Sequence, residues 1–287
     1  MRTCIVTGAN SGIGKCAASQ LAKEKMRVIL ACRNVEQGEQ VCAQIQRQNE
    51  NCEVFARRVD LSLVSDTKRF CSEFTHEFAQ LDVLINNAAD FDLARKKPSF
   101  TSEGNETQFS TNLLAPFVLT QELLPLLRQS NDGRILNIAT QGLVVQPNIR
   151  FDFDNIRGQK SYSPAKAYYQ TKLGLLMLSL FMRAHGFGSS TLVYAIRVTN
   201  VTVDMARYPN ISAIKKAMYK VKSRFSISPD EMAKVYTKLA VGPKLDGFYY
   251  DEKLLEVQCN KNAYDKTAQE RLWLLCEELA TAGIQAE

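Results

Sequence analysis

The sequence has few of the residue patterns that bind metals. Only two histidines, His76 and His185, occur in 287 residues, and neither stands at a metal-ligand spacing from another histidine. The eight cysteines are scattered and contain no C-x-x-C pair. These absences argue against a zinc site and favour reduced, mostly buried thiols in a reducing compartment. We therefore expect no metal site, and surface or packing roles for both histidines.

Long apolar runs are also absent. No run approaches the roughly 20 residues that a membrane-spanning helix needs. The first apolar strand begins three residues from Met1, so we expect no signal peptide or anchor. The net charge of +6 is modest for this length and fits a protein that binds anions, without by itself indicating nucleic acid. The sequence predicts a soluble, cytoplasmic protein with no nucleic-acid partner and no transmembrane segment.

What the sequence does contain is a regular alternation of strands and helices. The predicted strands are 4–6, 27–31, 53–59, 81–85, 134–138, 191–196 and 247–250. The predicted helices are about 15–22, 35–48, a stretch around 70–78, 106–128, 167–184, 229–241 and 263–280. This order predicts an α/β Rossmann fold, a doubly wound parallel sheet of about seven strands with helices on both faces. Because no linker, internal repeat or low-complexity tract interrupts it, we expect residues 1–287 to form a single domain.

A glycine-rich stretch, TGANSGIG at residues 7–14, connects the first strand to the first helix. Glycine permits a tight turn and lets a pyrophosphate approach the backbone, with its charge at the helix N-terminus. The spacing is G-x-x-x-G-x-G rather than the commoner G-x-G-x-x-G, so the glycines alone leave a turn without a ligand open. The predicted cofactor contacts here are Gly8, Asn10, Ser11, Gly12, Ile13, Gly14 and Lys15.

The end of the second strand has no acidic residue. Dinucleotide folds use an acid there to bind the adenosine ribose, whereas an arginine accommodates a 2′-phosphate. Arg33 occupies this place, and Lys15 in the turn adds a second positive charge. Individually both could be solvated surface cations, but together they favour NADP(H). Asp60, after the third strand, is expected either to bind the adenine amino group or simply to cap a helix.

Tyr168 and Lys172 form a second constellation. Their four-residue spacing places both on one face of a helix, where the cation lowers the phenol pKa enough for proton transfer near neutral pH. Tyr-x-x-x-Lys alone is usually a surface pair, and the chain contains another at Tyr162 and Lys166. Pro164 suits a loop or a first helical turn better than a helix interior, so we assign the role to Tyr168.

With these motifs in place, the chain resembles the short-chain dehydrogenase/reductase family over nearly its whole length. The glycine turn, Asp60-Leu61, Asn86-Asn87-Ala88, Asn112 and the Tyr168/Lys172 pair follow the family's order and approximate spacing. The retinol-dehydrogenase-like branch is the most similar one. Its supporting stretches are ACRN at 31–34, TSEGNETQF at 101–109, GQKSY at 158–162, RLW at 271–273 and EEL at 277–279.

This resemblance implies a catalytic tetrad. Tyr168 would transfer the substrate proton, Lys172 would orient the nicotinamide ribose and tune the tyrosine, and Asn112 would hold a water that relays protons to Lys172. Thr140 stands where the family has a serine that binds the substrate oxygen. Asp60 and Leu61, together with Asn87 and Ala88, would line the cofactor. The implied reaction is hydride transfer between NADP(H) and a small hydrophobic carbonyl or alcohol.

The chain departs from the family at Thr140, at Ala89, and at Val198-Thr199, where this branch has Pro-Gly. These departures leave open a second function, an NADP(H)-binding regulatory or interaction module with little or no turnover. The basic segment at about 202–226 is expected to be the substrate lid. Its charges are either solvated above the pocket or meet an anionic membrane surface in weak peripheral contact. The resemblance leaves both a homodimer and a monomer open.

Overall fold

The computed structural model describes residues 1–92, 94–187, 191–202 and 226–282. Seven parallel strands form one sheet in the order β3-β2-β1-β4-β5-β6-β7. The strands are β1 Thr3–Thr7, β2 Arg27–Cys32, β3 Val54–Arg58, β4 Val83–Asn86, β5 Gly133–Thr140, β6 Thr191–Val198 and β7 Tyr249–Tyr250. The predicted Rossmann fold with its doubly wound parallel sheet is therefore confirmed.

The helices pack on both faces of this sheet. They are α1 Gly12–Lys23, α2 Val35–Gln48, α3 Val64–Glu77, α4 Thr107–Phe109, α5 Ala115–Gln129, α6 Pro164–Ala184, α7 Pro229–Val241 and α8 Lys266–Ala282. None of the helices in the described ranges is long and apolar enough to cross a membrane. The expected lid at 202–226 lies almost entirely outside the described residues.

Alternation along the strands divides the buried side chains between two cores. Ile5 of β1 faces the core that contains α3, α5, α6 and α8. Its neighbours Cys4 and Val6 face the opposite core, with α1, α2 and α7. Successive strand residues point to opposite faces, so a strand covered on both sides is apolar throughout. All eight cysteines are free thiols and six are buried, as predicted.

Several elements differ from the predicted bounds. Helix α6 starts at Pro164, which occupies the first turn and whose missing N–H costs nothing there. The predicted helix at 106–128 is divided by a π-helical turn, Ser110–Leu114, between α4 and α5. Sequence periodicity did not indicate this turn, which spans only five residues. The seventh strand contains only two residues.

The parallel arrangement brings the carboxyl ends of the strands to one edge. The strand order reverses between β1 and β4, which pair with each other. From β1 the sheet continues outward through β2 and β3, and from β4 it continues in the other direction through β5, β6 and β7. Ligands of open α/β sheets bind in the crevice at such a switch point. The glycine turn follows β1 and Asn87 follows β4, so the predicted cofactor residues lie at this crevice.

Candidate active site

The turn after β1 requires glycine at its first position. Gly8 has a φ of +63°, a conformation that L side chains rarely adopt. A Cβ added to Gly8 would lie 3.0 Å from the Cα of Ala88, on the segment that follows β4. The Gly8 amide donates to the carbonyl of Ala31 at 2.8 Å, which holds the turn against the end of β2. These contacts hold the turn after β1 between the end of β2 and the segment that follows β4.

Gly14 allows a second close approach at the start of α1. A Cβ there would lie 2.5 Å from Nδ2 of Asn87 and 2.8 Å from the carbonyl oxygen of Gly8. Ser11 is the N-cap of α1, yet its side chain makes no capping hydrogen bond to the helix, whose first turn also contains no acidic residue. The first amides of α1 therefore keep their capacity to bind an anion, as a dinucleotide pyrophosphate requires.

Asn87 is fixed in the crevice by Thr7. The Thr7 hydroxyl accepts hydrogen bonds from the amides of Asn87 and Ala88, both at 2.9 Å. The Asn87 side chain donates to the Thr7 carbonyl at 2.8 Å and accepts from the Tyr236 hydroxyl of α7 at 3.4 Å. Burial raises the pKa of Tyr236 well above its usual value, so this hydroxyl stays protonated and remains a donor.

The residues expected around the adenosine lie at the ends of β2 and β3. Arg33 is exposed, and Lys15, in the first turn of α1, is half-buried. Asp60 does not cap α3, so that alternative is wrong. Its Oδ1 accepts from the amide and hydroxyl of Ser62, at 3.0 and 2.7 Å. The first turn of α3 is capped by Glu103 instead, whose carboxylate accepts from the amides of residues 64 and 65.

Two other residues of the predicted cofactor site are already engaged in the fold. Asn10 donates from its side-chain amide to Oε1 of Gln37 at 3.0 Å, which ties the glycine turn to α2. The Leu61 side chain is buried in the core beneath α3. A cofactor would therefore meet the backbone of Leu61 rather than its side chain.

Tyr168 and Lys172 lie one turn apart on α6. The Lys172 side chain is only 2% exposed, and its Nζ donates to the carbonyl of Ile138 on β5 at 2.7 Å. The same Nζ lies 5.8 Å from the centroid of the Tyr168 ring. Burial lowers the pKa of Lys172 from 10.5 to about 8, so the amine is still mostly protonated at pH 7. A cation is thus held within reach of a phenol, as the spacing predicted.

Asn112 lies in the π-helical turn and is fully buried. Its Oδ1 accepts from the Asp90 amide at 2.6 Å, and its Nδ2 donates to the Asp90 carbonyl at 2.9 Å. The same Nδ2 reaches the Thr171 hydroxyl at 3.3 Å, next to Lys172 on α6. Asn112 therefore joins α6 to the segment after β4. A π-helical turn inside an α-helix often marks a functional position.

Thr140 is the last residue of β5, and Val198 is its register partner on β6. The Thr140 hydroxyl accepts from the Gly142 amide at 3.1 Å, while its carbonyl faces the Tyr249 hydroxyl at 3.5 Å. The Thr199 hydroxyl donates to the Gln141 side chain at 2.6 Å. The two residues that replace Pro-Gly therefore lie directly beside the residue expected to bind the substrate oxygen.

The second Tyr-x-x-x-Lys pair does not share a helix face. Tyr162 precedes α6, and Lys166 points outward to Asp152 with 3.6 Å between Nζ and the carboxylate. Ser163 caps α6 through the Lys166 amide. Sequence reasoning did not find Tyr236, Tyr249 or Thr7 as supports of the site. Thr7 belongs to the glycine-rich motif but was assigned no contact there, and no motif marks Tyr236 or Tyr249, because these roles depend on which strands and helices become neighbours.

The chain is similar in sequence to known dehydrogenases. A family model for short chain dehydrogenase matches residues 2–150. Retinol dehydrogenase 12 of Mus musculus is 30% identical over 289 residues, covering 100% of this chain and 88% of that protein. Retinol dehydrogenase 13 of Homo sapiens is 32% identical over 293 residues, covering 99% of this chain and 86% of that protein.

Solved structures show the same architecture. An uncharacterized protein from Mycobacterium paratuberculosis superimposes with a TM-score of 0.70 at 25% identity, covering 98% of this chain and 94% of the other. A short-chain dehydrogenase from Sphingobium yanoikuyae, in complex with NADPH, gives a TM-score of 0.67 at 21% identity. That alignment covers 95% of each chain.

Proposed function

The chain belongs to the short-chain dehydrogenase family and is an oxidoreductase; from this premise we propose that it transfers hydride between NADP(H) and a hydrophobic carbonyl or alcohol. The observation that supports this most directly is the buried Lys172 amine, 5.8 Å from the centroid of the Tyr168 ring. The retinol dehydrogenases among its relatives are named for an apolar alcohol, which agrees with this substrate class. Free, mostly buried thiols agree with a cytoplasmic location.

The crevice between β1 and β4 fits a dinucleotide. The glycine turn has no side chains where Gly8 and Gly14 approach the segment after β4, and the first amides of α1 would receive the pyrophosphate. Asn87 and Ala88 would line the nicotinamide half, and Lys172 would hold its ribose hydroxyls. Arg33 and Lys15 would pair with a 2′-phosphate. When bound, the nicotinamide supplies or accepts the hydride.

Proton transfer belongs to the residues of the chain itself. In reduction, the Tyr168 hydroxyl gives its proton to the carbonyl oxygen as negative charge develops there. The Lys172 cation stabilises the resulting phenolate and lowers the cost of losing the proton. The Thr140 hydroxyl would donate to the same oxygen and stabilise the developing charge. In oxidation of an alcohol, the same groups act in reverse.

Replacing Tyr168 tests the reaction. Tyr168→Phe removes the proton donor and keeps the ring, so it should abolish NADPH-dependent reduction and leave NADPH binding nearly intact. Tyr162→Phe is the matched control and should reduce turnover little, because Tyr162 lies outside α6. Thr140→Ser should maintain or raise the rate, whereas Thr140→Ala should lower it strongly. Absence of Tyr168-dependent turnover across aldehydes, ketones and alcohols, despite tight NADPH binding, would favour the binding-module alternative.

The cofactor preference has its own test. Charge-assisted hydrogen bonds contribute roughly 1.5–3 kcal/mol each, so NADPH should bind at least about tenfold more tightly than NADH. Fluorescence titration of both cofactors measures this ratio. Arg33→Ala should reduce it, whereas Arg47→Ala, at an exposed position on the neighbouring helix α2, should not. Equal affinities in the wild type would contradict the assignment to NADP(H).

A further inference from the structure

The ring of Phe91 lies against the ring of Tyr168. Their centroids are 4.1 Å apart and the planes are inclined by 35°. Phe91 is half-buried and follows the cofactor-side segment at 87–90 by one residue. A tilted aromatic pair at this distance gains contact area and restricts the rotation of both side chains. Phe91 therefore covers one side of the phenol that carries the proposed proton transfer.

The residue before Phe91 is fixed through its backbone and its side chain. Asn112 binds both the amide and the carbonyl of Asp90, at 2.6 and 2.9 Å. The Asp90 carboxylate receives two hydrogen bonds from the Arg95 guanidinium, at 2.8 and 3.3 Å. This two-pronged geometry restricts orientation more than a single charged contact does. The backbone that presents Phe91 is thus held from both sides.

Arg95 also faces the start of α4. Its Nη1 lies 3.9 Å from Oε1 of Glu106, a carboxylate that is 3% exposed. The other carboxylate oxygen of Glu106 accepts from the Phe109 amide at 2.9 Å and caps the helix that leads to Asn112. Arg95 is half-buried between two acidic groups. The guanidinium therefore connects the loop that carries Phe91 to the helix that carries Asn112.

We propose that Phe91 is a specificity-determining residue of this oxidoreductase and that Arg95 is the positioning residue that holds it. The inference rests on the proposed function, because it concerns the substrate that meets Tyr168. We expect a carbonyl whose oxygen reaches the Tyr168 hydroxyl to place the groups on its adjacent carbon near the Phe91 ring, because the centroids of the two rings are 4.1 Å apart. The site therefore accepts carbonyl compounds that are unbranched at that carbon and disfavours their branched isomers.

Two isomeric aldehydes test this selectivity with NADPH: hexanal, which is unbranched, and 2-methylpentanal, which is branched next to the carbonyl. One methyl group in an apolar pocket changes kcat/KM by roughly 10- to 200-fold. The wild type should prefer hexanal, and Phe91→Ala should shift the ratio toward the branched aldehyde by about tenfold. Phe100→Ala, in the same loop but at a residue that is 46% exposed, is the matched control and should leave the ratio unchanged.

Variants of Arg95 distinguish a positioning role of this residue from a general loss of structure. Arg95→Met should shift the ratio in the same direction as Phe91→Ala but less, and Arg95→Lys should restore part of it. As a readout independent of turnover, protein labelled with 3-fluorotyrosine gives a fluorine NMR signal for Tyr168, identified by its loss in Tyr168→Phe. Phe91→Ala should move this signal because the neighbouring aromatic ring is gone, and Phe100→Ala should leave it in place.

The outcomes distinguish this inference from the function on which it rests. Tyr168-dependent turnover with the same aldehyde ratio in wild type and Phe91→Ala overturns the specificity role and leaves the proposed function standing. A Tyr168 signal that Phe91→Ala does not move overturns the contact between the two rings. A wild type that reduces neither aldehyde nor any other carbonyl, with an intact Tyr168 signal, overturns the proposed function and the specificity role together.

Discussion

Lys172 illustrates at the residue scale how a motif acquires its chemistry from its surroundings. The sequence places a lysine one helical turn after a tyrosine, which on a protein surface would have little effect. In the fold the amine is 2% exposed, and a backbone carbonyl at 2.7 Å receives it. Burial disfavours the charged form and lowers the pKa of Lys172 to about 8. The amine therefore titrates near physiological pH, where it can respond to a proton on Tyr168.

This shift makes the stability of the protein depend on pH in a defined direction. The folded-state pKa of about 8 lies below the usual 10.5, so the unfolded chain binds more protons between these values. The free-energy cost of burying the charged amine is fully present below pH 8 and is lost as the pH rises toward 10.5. Lys172→Met removes it. The stability of Lys172→Met minus that of wild type should therefore fall by about 2 kcal/mol between pH 7 and pH 9.5.

Urea unfolding of both proteins at the two pH values measures this difference. Lys166→Met on the same helix is the control, because that side chain is 53% exposed and its effect should be nearly constant with pH. If the stability difference between Lys172→Met and wild type changed with pH as little as the difference for Lys166→Met, the buried amine would not titrate in this range.

At the scale of elements, the turn from β1 into α1 depends on the absence of side chains. A methyl group on Gly14 would lie 2.8 Å from the carbonyl oxygen of Gly8 and 2.5 Å from the side-chain nitrogen Nδ2 of Asn87. The backbone oxygen belongs to a turn with positive φ and has little freedom to move. Adding even one methyl group to a packed contact costs typically 1–3 kcal/mol and shifts the backbone.

Gly14→Ala should therefore weaken NADPH binding at least about tenfold, because the helix N-terminus moves relative to Asn87. Fluorescence titration measures the affinity, and circular dichroism checks that the helical content is retained. Ser19→Ala, a half-exposed position further along α1, should bind NADPH as the wild type does. An unchanged affinity in Gly14→Ala would mean that the crevice does not use this close approach.

At the scale of the whole molecule, the two edges of the sheet have separate roles. The carboxyl edge carries the candidate site, whereas the opposite edge carries a buried polar cluster. Arg134 is 2% exposed, and its guanidinium donates to the carbonyls of Leu239 and Gly242, both at 2.7 Å. It also pairs with Asp132 at 2.8 Å. This cluster joins the first residues of β5 to the end of α7, at the end of β5 opposite Thr140.

Arg134→Met should lower the free energy of unfolding by about 3 kcal/mol, because it leaves two buried carbonyls and a carboxylate without their partner. NADPH affinity and Tyr168-dependent turnover of the folded protein should stay at the wild-type values. Arg47→Met, on the exposed side of α2, should change neither quantity. A loss of activity in Arg134→Met at temperatures where it remains folded would contradict this separation of the two edges.

The sequence by itself determined the α/β order, the parallel sheet and the family. Apolar strands that alternate with amphipathic helices permit few other arrangements, and the glycine turn and Tyr168/Lys172 are local patterns. The bounds of α6 and α7 are close to the predicted ones, because those bounds were also inferred from local patterns. The single-domain organisation and the roles of the tetrad stay predictions.

Only the tertiary structure decided which groups surround those motifs. The pKa of Lys172 depends on its burial. Asn87 is positioned by Thr7 and Tyr236, and Phe91 packs against a tyrosine 77 positions away. The cap of α3 comes from Glu103 rather than from Asp60. Such contacts join residues that are distant in the chain, and no local pattern specifies them. They arise because strand order and helix packing fix which side chains meet.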